Sequence, residues 1–150
     1  MPWPSPSPGR SPANRTATRL HHHIEGATFA PSLGVDLSAS TKTSTGLYYR
    51  DLITGPGTTA ASGHSLSVHY TGWLANGTQF DTNVAPAIPI TFTLGIGQVI
   101  AGWDQGLVGM KVGGRRQLII PSALGYGSMA YGTIPANSIL VFSVDLVSTQ

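Results

Sequence analysis

The sequence predicts an α+β domain in which about six antiparallel strands curve over one short helix. Three observations lead there. Charged residues make up only 9%, while 19 glycines and 11 prolines supply turns, a balance of strands and turns more than of helices. After position 46, apolar residues alternate with polar ones at a period of two, which lines up one face of a strand. A single stretch, Val99 to Met110 (VIAGWDQGLVGM), breaks that period. There Ile100, Trp103 and Leu107 recur at steps of three and four, giving a helix one apolar face. A lone amphipathic helix is the natural cover for a curved antiparallel sheet, so Trp103 is expected on the concave side.

The 150 residues fit one domain with a tail. Residues 1–20 hold five prolines in the first twelve positions and too little apolar area to offset the entropy of ordering, so they read as a disordered Pro/Ser/Arg-rich tail. His21, His22 and His23 follow. Consecutive side chains point in different directions on a helix or a strand, so three in a row do not converge on one metal ion. Residues 21–44 are rich in Ser, Thr and Ala with scattered apolar residues (Ile24, Phe29, Leu33, Val35, Leu37). They read as an extended arm or linker lying on a domain of residues 45–150.

Within that domain Leu47, Tyr49 and Asp51 alternate with Tyr48, Arg50 and Leu52, and the turn Gly55, Pro56, Gly57 follows. Leu66, Val68 and Tyr70 begin a second strand that runs to Leu74. Asn76 and Gly77 are expected to supply two positive φ values for a tight hairpin, and the chain returns through Gln79 to Asp81. After a loop at 82–87, Ile88, Ile90, Phe92 and Leu94 alternate again, and Gly95 and Gly97 end that strand. In the helix, Gly102, Gly106 and Gly109 each cost roughly 1 kcal/mol against alanine; small residues there are expected to let the sheet approach closely. Gly113 and Gly114 turn the chain into Arg116 to Ile120, which Pro121 stops. A long loop, Ser122 to Asn137, precedes a last strand from Ile139 to Val147.

Composition also excludes function classes. The net charge is +2, with Arg10, Arg15 and Arg19 in the first twenty residues and a near balance of acids and bases afterwards. Only Arg115 and Arg116 stand together, too little basic surface for a nucleic acid. With no cysteine, disulfides, thiolate metal sites and a cysteine nucleophile are excluded. No apolar run approaches the ~20 residues of a membrane span, and none matches a secretory signal; an exported chain would need a signal upstream. The motifs G-x-S-x-G, H-E-x-x-H and the P-loop are missing. What the sequence does offer is apolar. Tyr70, Phe80, Trp103, Tyr126 and Phe142 come from five separate elements, with Asp81 beside Phe80. Together they suit an apolar pocket with a few polar groups, rimmed by the long Gly-rich loop that bears Tyr126 and Tyr131.

The blocks VHYTGWLANGTQFD (68 to 81), FTLGIGQVIAGWDQGLVGMKVGGRRQLIIP (92 to 121), LGYG (124 to 127) and IPANSILVFSVDL (134 to 146) resemble the FKBP-type peptidyl-prolyl cis-trans isomerases. The resemblance covers about residues 45 to 147. It implies a half-barrel of five or six antiparallel strands wrapped around one short helix. It also implies roles: Trp103 as pocket floor; Tyr70, Phe80, Val99, Ile100 and Phe142 as walls; Asp81 as the polar group at the edge. Tyr126 would donate a hydrogen bond to a substrate carbonyl, and Ile134 would bring its backbone N–H and side chain to the rim. Two positions depart from the pattern: Ile90 stands where single-domain members often carry an aromatic wall residue, and Pro86 where some carry Arg. Both alter the wall a macrolide would touch. The expected activity is rotation about Xaa-Pro bonds in assistance of protein folding, without cofactor or metal, by a monomer. The expected partners are proline-containing polypeptides, with macrolides such as rapamycin as candidate ligands. The alternative is a non-catalytic module or chaperone holding proline segments in the same pocket.

Overall fold

The computed structural model describes residues 24–150; the expected tail at 1–20 and the run His21 to His23 lie outside the described residues. Among the described residues seven strands form one antiparallel sheet: β1 (Thr41–Lys42), β2 (Tyr48–Ile53), β3 (Ser65–Leu74), β4 (Gln79–Asn83), β5 (Ile90–Thr93), β6 (Arg115–Ile120) and β7 (Leu140–Thr149). Their spatial order is β1-β2-β6-β7-β3-β4, with β5 also paired to β3. The strand beyond the expected six is β1, two residues that pair with Tyr48 and Tyr49. One α-helix among the described residues, α1 (Ala101–Gly106), crosses the concave face, and the sheet does not close into a barrel. Among the described residues no helix is long and apolar enough to cross a membrane.

The alternation decides which face each residue takes. Leu66, Val68 and Tyr70 of β3 and Leu140, Phe142, Val144 and Leu146 of β7 are buried on the concave side around Trp103. Ile119 of β6 and Val141 of β7 point the other way and are equally buried, with Ile24, Leu33 and Tyr48. The outer face is covered because residues 24–39 run across it in three short 3-10 turns. Gln117 donates its side-chain amide to the Leu33 carbonyl at 3.0 Å, and Ala30 N–H donates to the Ala75 carbonyl at 2.8 Å. Glu25 accepts from the Tyr48 hydroxyl and lies 2.7 Å from the Lys42 ammonium. These contacts explain why Leu118, Ile119 and Ile120 form an unbroken apolar run: both faces of β6 are buried.

Three elements differ from the sequence expectation. The hairpin after β3 has a three-residue loop: Gly77 N–H donates to the Leu74 carbonyl at 2.9 Å and Leu74 N–H to the Thr78 carbonyl at 2.8 Å. Only Gly77 has a positive φ, 93°, while the Asn76 side chain accepts from Thr78 N–H at 2.9 Å. That is a turn with an αL glycine and a bulge, in place of two residues with positive φ. Next, β5 begins at Ile90, and Ile88 is 87% exposed. Finally, α1 spans six residues, half of the expected apolar-faced stretch. A Cβ added to Gly102 would lie 2.6 Å from Ile120 Cγ2 and one on Gly106 2.7 Å from Leu118 Cδ2, so these two glycines bring helix and sheet together. Gly109 serves another purpose: it turns the chain with φ of +87° and has open space where a Cβ would stand.

Candidate functional site

The site grows from Trp103, whose side chain has no exposed surface. Tyr70 of β3 and Phe142 of β7 meet its ring edge-on, at centroid separations of 5.2 Å and 5.3 Å. Phe92 of β5 closes a third side at 5.7 Å, tilted by 51°. Phe80 of β4 stands at right angles to Phe142 at 5.5 Å. Edge-to-face pairs at these distances are the favoured arrangement of aromatic quadrupoles, so the cluster fixes its own geometry. It depends on Gly72, where an added Cβ would fall 2.6 Å from Phe80 Cζ and 2.7 Å from Phe142 Cε2.

Polar groups enter this apolar centre at few points. The Tyr70 hydroxyl donates to Asp81 Oδ2 at 2.5 Å, and register explains the meeting: Asp81 pairs with Gly72, two residues along β3 from Tyr70. Burial, then the bond to Asp81, raises the Tyr70 hydroxyl well above its ordinary pKa. Tyr126 comes from the β6–β7 loop, is buried, and finds no hydrogen-bond partner for its hydroxyl. Burial raises its pKa most, followed by Tyr131 and then by the Asp81 charge. Trp103 Nε1 is likewise buried without a partner.

The remaining expected residues take their places around this centre. Val99, Ile100 and Ile134 are buried in the same core, and Ile90 packs against it with part of its surface exposed. The Ile134 N–H, expected at the rim, donates to the Tyr131 carbonyl at 2.9 Å. Phe80, Asp81 and Ile90, on the β4–β5 side, are the members that keep partial exposure.

A family profile described as FKBP-type peptidyl-prolyl cis-trans isomerase matches residues 57–147. The chain belongs to this family. An FK506-binding protein of Neisseria meningitidis serogroup B is 52% identical over 103 residues, 68% of this chain and 94% of that protein. An FK506-binding protein 2 of Dictyostelium discoideum is 54% identical over 87 residues, 57% of this chain and 65% of that protein. Among solved structures, AtFKBP13 superposes with a TM-score of 0.69 at 35% identity, covering 74% of this chain and 98% of that one. FkpA from Escherichia coli gives 0.70 at 30% identity, covering 92% of this chain and 60% of that one.

In this isomerase several site-building residues escape the sequence reading. Phe92 belongs to the wall of Trp103; its position two residues after Ile90 on an alternating strand is the signal that puts both on one face. Asp104 of α1 accepts the N–H groups of Gly95 and Gly97 at 2.8 Å and 2.9 Å. Gln98 accepts from Thr93 N–H at 2.8 Å. Those three bonds fix the loop that delivers Val99 and Ile100. Arg116 anchors the far end of α1, donating to the carbonyls of Gly106 and Val108 at 2.8 Å and 2.9 Å, where a helix leaves carbonyls unsatisfied and favours a cation.

Proposed function

We propose that the aromatic centre takes a prolyl ring against Trp103, between Tyr70, Phe80 and Phe142, and accelerates rotation about the preceding peptide bond. The ring would enter past Phe80, Asp81 and Ile90. Asp81, held by Tyr70, orients the polar edge; Tyr126 donates to the neighbouring carbonyl; Val99, Ile100 and Ile134 complete the apolar wall. One observation carries the reading: a buried tyrosine hydroxyl without a partner stands beside an aromatic cluster and one carboxylate.

The chemistry asks little else of the protein. Resonance sets a barrier of ~18–20 kcal/mol to rotation of a peptide bond, and Xaa-Pro isomers exchange over tens of seconds or longer. The planar amide is more charge-separated than the twisted one, so an apolar cavity disfavours the ground state relative to the transition state. No proton need move. With Tyr70 and Tyr126 both raised by burial, the phenols stay protonated, and kcat/KM is expected to be flat between about pH 6 and pH 9. A steep titration in that range would refute the mechanism.

The substrates are proline-containing polypeptides. The names of the relatives extend the same pocket to the macrolide FK506 as a candidate ligand, and Ile90 and Pro86 set the wall it would touch. A protease-coupled assay on Xaa-Pro peptides tests the reading. Tyr126→Phe, which removes one hydrogen bond, is expected to lower kcat/KM about tenfold, equivalent to ~1.4 kcal/mol. A wild-type rate no higher than uncatalysed exchange would leave a proline-binding or chaperone module.

A further inference from the structure

Tyr131 stands outside the residues assigned so far, yet its ring lies flat on Tyr126, with centroids 4.5 Å apart and planes 2° from parallel. The two rings are fixed from separate backbone points. Tyr131 N–H donates to the Ile134 carbonyl and Ile134 N–H to the Tyr131 carbonyl, both at 2.9 Å, and Ile134 is anchored in the core. On the other side, Gly127 N–H donates to the Ser122 carbonyl and Asn137 N–H to the Gly127 carbonyl, both at 2.8 Å. The stack therefore joins two independently tethered parts of one long loop. A phenol on a loop can turn its ring to place its hydroxyl in water; a partner lying flat on one face removes that freedom. The Tyr126 hydroxyl is indeed buried and without a partner in the protein, a costly state that persists only where the surroundings enforce it.

We propose that Tyr131 is a positioning residue of this isomerase, holding the Tyr126 ring so that its hydroxyl stays aimed at the carbonyl of a bound prolyl peptide. This rests on the role given above to Tyr126 and adds a residue that acts only through it. The stack does not require the Tyr131 hydroxyl, so any flat ring at that position serves, whereas a branched aliphatic side chain fills space without fixing a plane.

The test is a double-mutant cycle in the protease-coupled assay, with near-ultraviolet circular dichroism confirming that each variant is folded. Tyr131→Phe is expected to keep kcat/KM within about twofold of wild type. Tyr131→Leu is expected to lower it about fivefold, and adding Tyr131→Leu to Tyr126→Phe is expected to lower it no further than Tyr126→Phe alone. Additive losses would show that Tyr131 supports the fold or contacts substrate itself, and would overturn the proposal. So would an unchanged rate in Tyr131→Leu. A Tyr126→Phe variant with wild-type activity would instead overturn the role of Tyr126, and the proposal with it. Should Tyr131→Leu fail to fold, a fall of more than about fivefold in Tyr131→Phe refutes the requirement for a ring alone.

Discussion

Gly72→Ala tests how tightly the site is built. Gly72 lies mid-strand, paired with Asp81 of β4 and Phe142 of β7. A Cβ there would stand 2.6 Å and 2.9 Å from Phe80 Cζ and Cε1, and 2.7 Å from Phe142 Cε2. Carbon atoms pack comfortably at about 3.5–4.0 Å, so a ring must retreat by roughly 1 Å. Phe142 is fully buried between Trp103, Tyr70 and Phe80 and cannot retreat; Phe80 is partly exposed and can. Overpacking of this kind costs about 1–3 kcal/mol, offset by ~0.5–1 kcal/mol from removing a glycine from a strand interior. The net loss is then about 0–2.5 kcal/mol, which lowers Tm by up to roughly 10 °C for a chain of this size. Because the ring that moves is a wall of the proposed prolyl site, kcat/KM should fall together with Tm. Calorimetry and the coupled assay on one preparation read both. Adding Phe80→Leu removes the ring end that meets the new methyl, and should return part of the lost Tm while activity stays low. A Gly72→Ala variant with raised Tm and unchanged kcat/KM would refute this account of the packing.

Arg116→Met strips the Asp51 carboxylate of a guanidinium that meets it at 2.7 Å and 3.1 Å, and leaves the Gly106 and Val108 carbonyls without their donor. A loss of about 2–4 kcal/mol in urea unfolding is expected; a neutral result would mean that water replaces the cation at no cost. Glu25 is held down from 4.5 to about 2, first by its bond with Lys42 and then by the Tyr48 hydroxyl. A carboxyl with a depressed folded-state pKa contributes stability that is complete above its ordinary value and lost as the pH falls from 4.5 toward 2. Glu25→Gln is therefore expected to flatten that part of the acid dependence. Urea midpoints near pH 6 and pH 3 read it, and an equal acid loss in both proteins would show that the contact is not formed in solution.

Where one face of a strand is buried, legibility in the sequence was high. Leu66, Val68 and Tyr70, or Leu140, Phe142 and Val144, announce their face by alternation, and a slip of one residue would expose them all. The Asn76-Gly77 pair marked a hairpin correctly but not its loop, because the Asn76 side chain accepts a local hydrogen bond that spares it a positive φ. The glycines of the helix were legible as small residues that admit the sheet, but only the structure separates Gly102 and Gly106, which meet Ile120 and Leu118, from Gly109, which has open space beside it. The site was legible as a set of aromatic residues in order, Tyr131 among them on the rim loop, while the parts of Phe92 and Asp104 and the stacking of Tyr131 on Tyr126 were not. Their contributions are a ring contact, two bonds to loop amides and a stack across a loop, none of which leaves a period or a motif.

Taken alone, the sequence determined the α+β class, the strands, the helix and the set of residues able to make an apolar centre, since all of these follow from side-chain period, turn chemistry and composition. The tertiary structure decided what depends on distance. It laid residues 24–39 over the outer face, so that Ile119 and Val141 are buried on the side away from the site. It set Tyr70 against Asp81 and left the Tyr126 hydroxyl buried without a partner. Burial and contact arise between segments far apart in the chain, and their energies depend on separations of a few ångströms that no local pattern encodes.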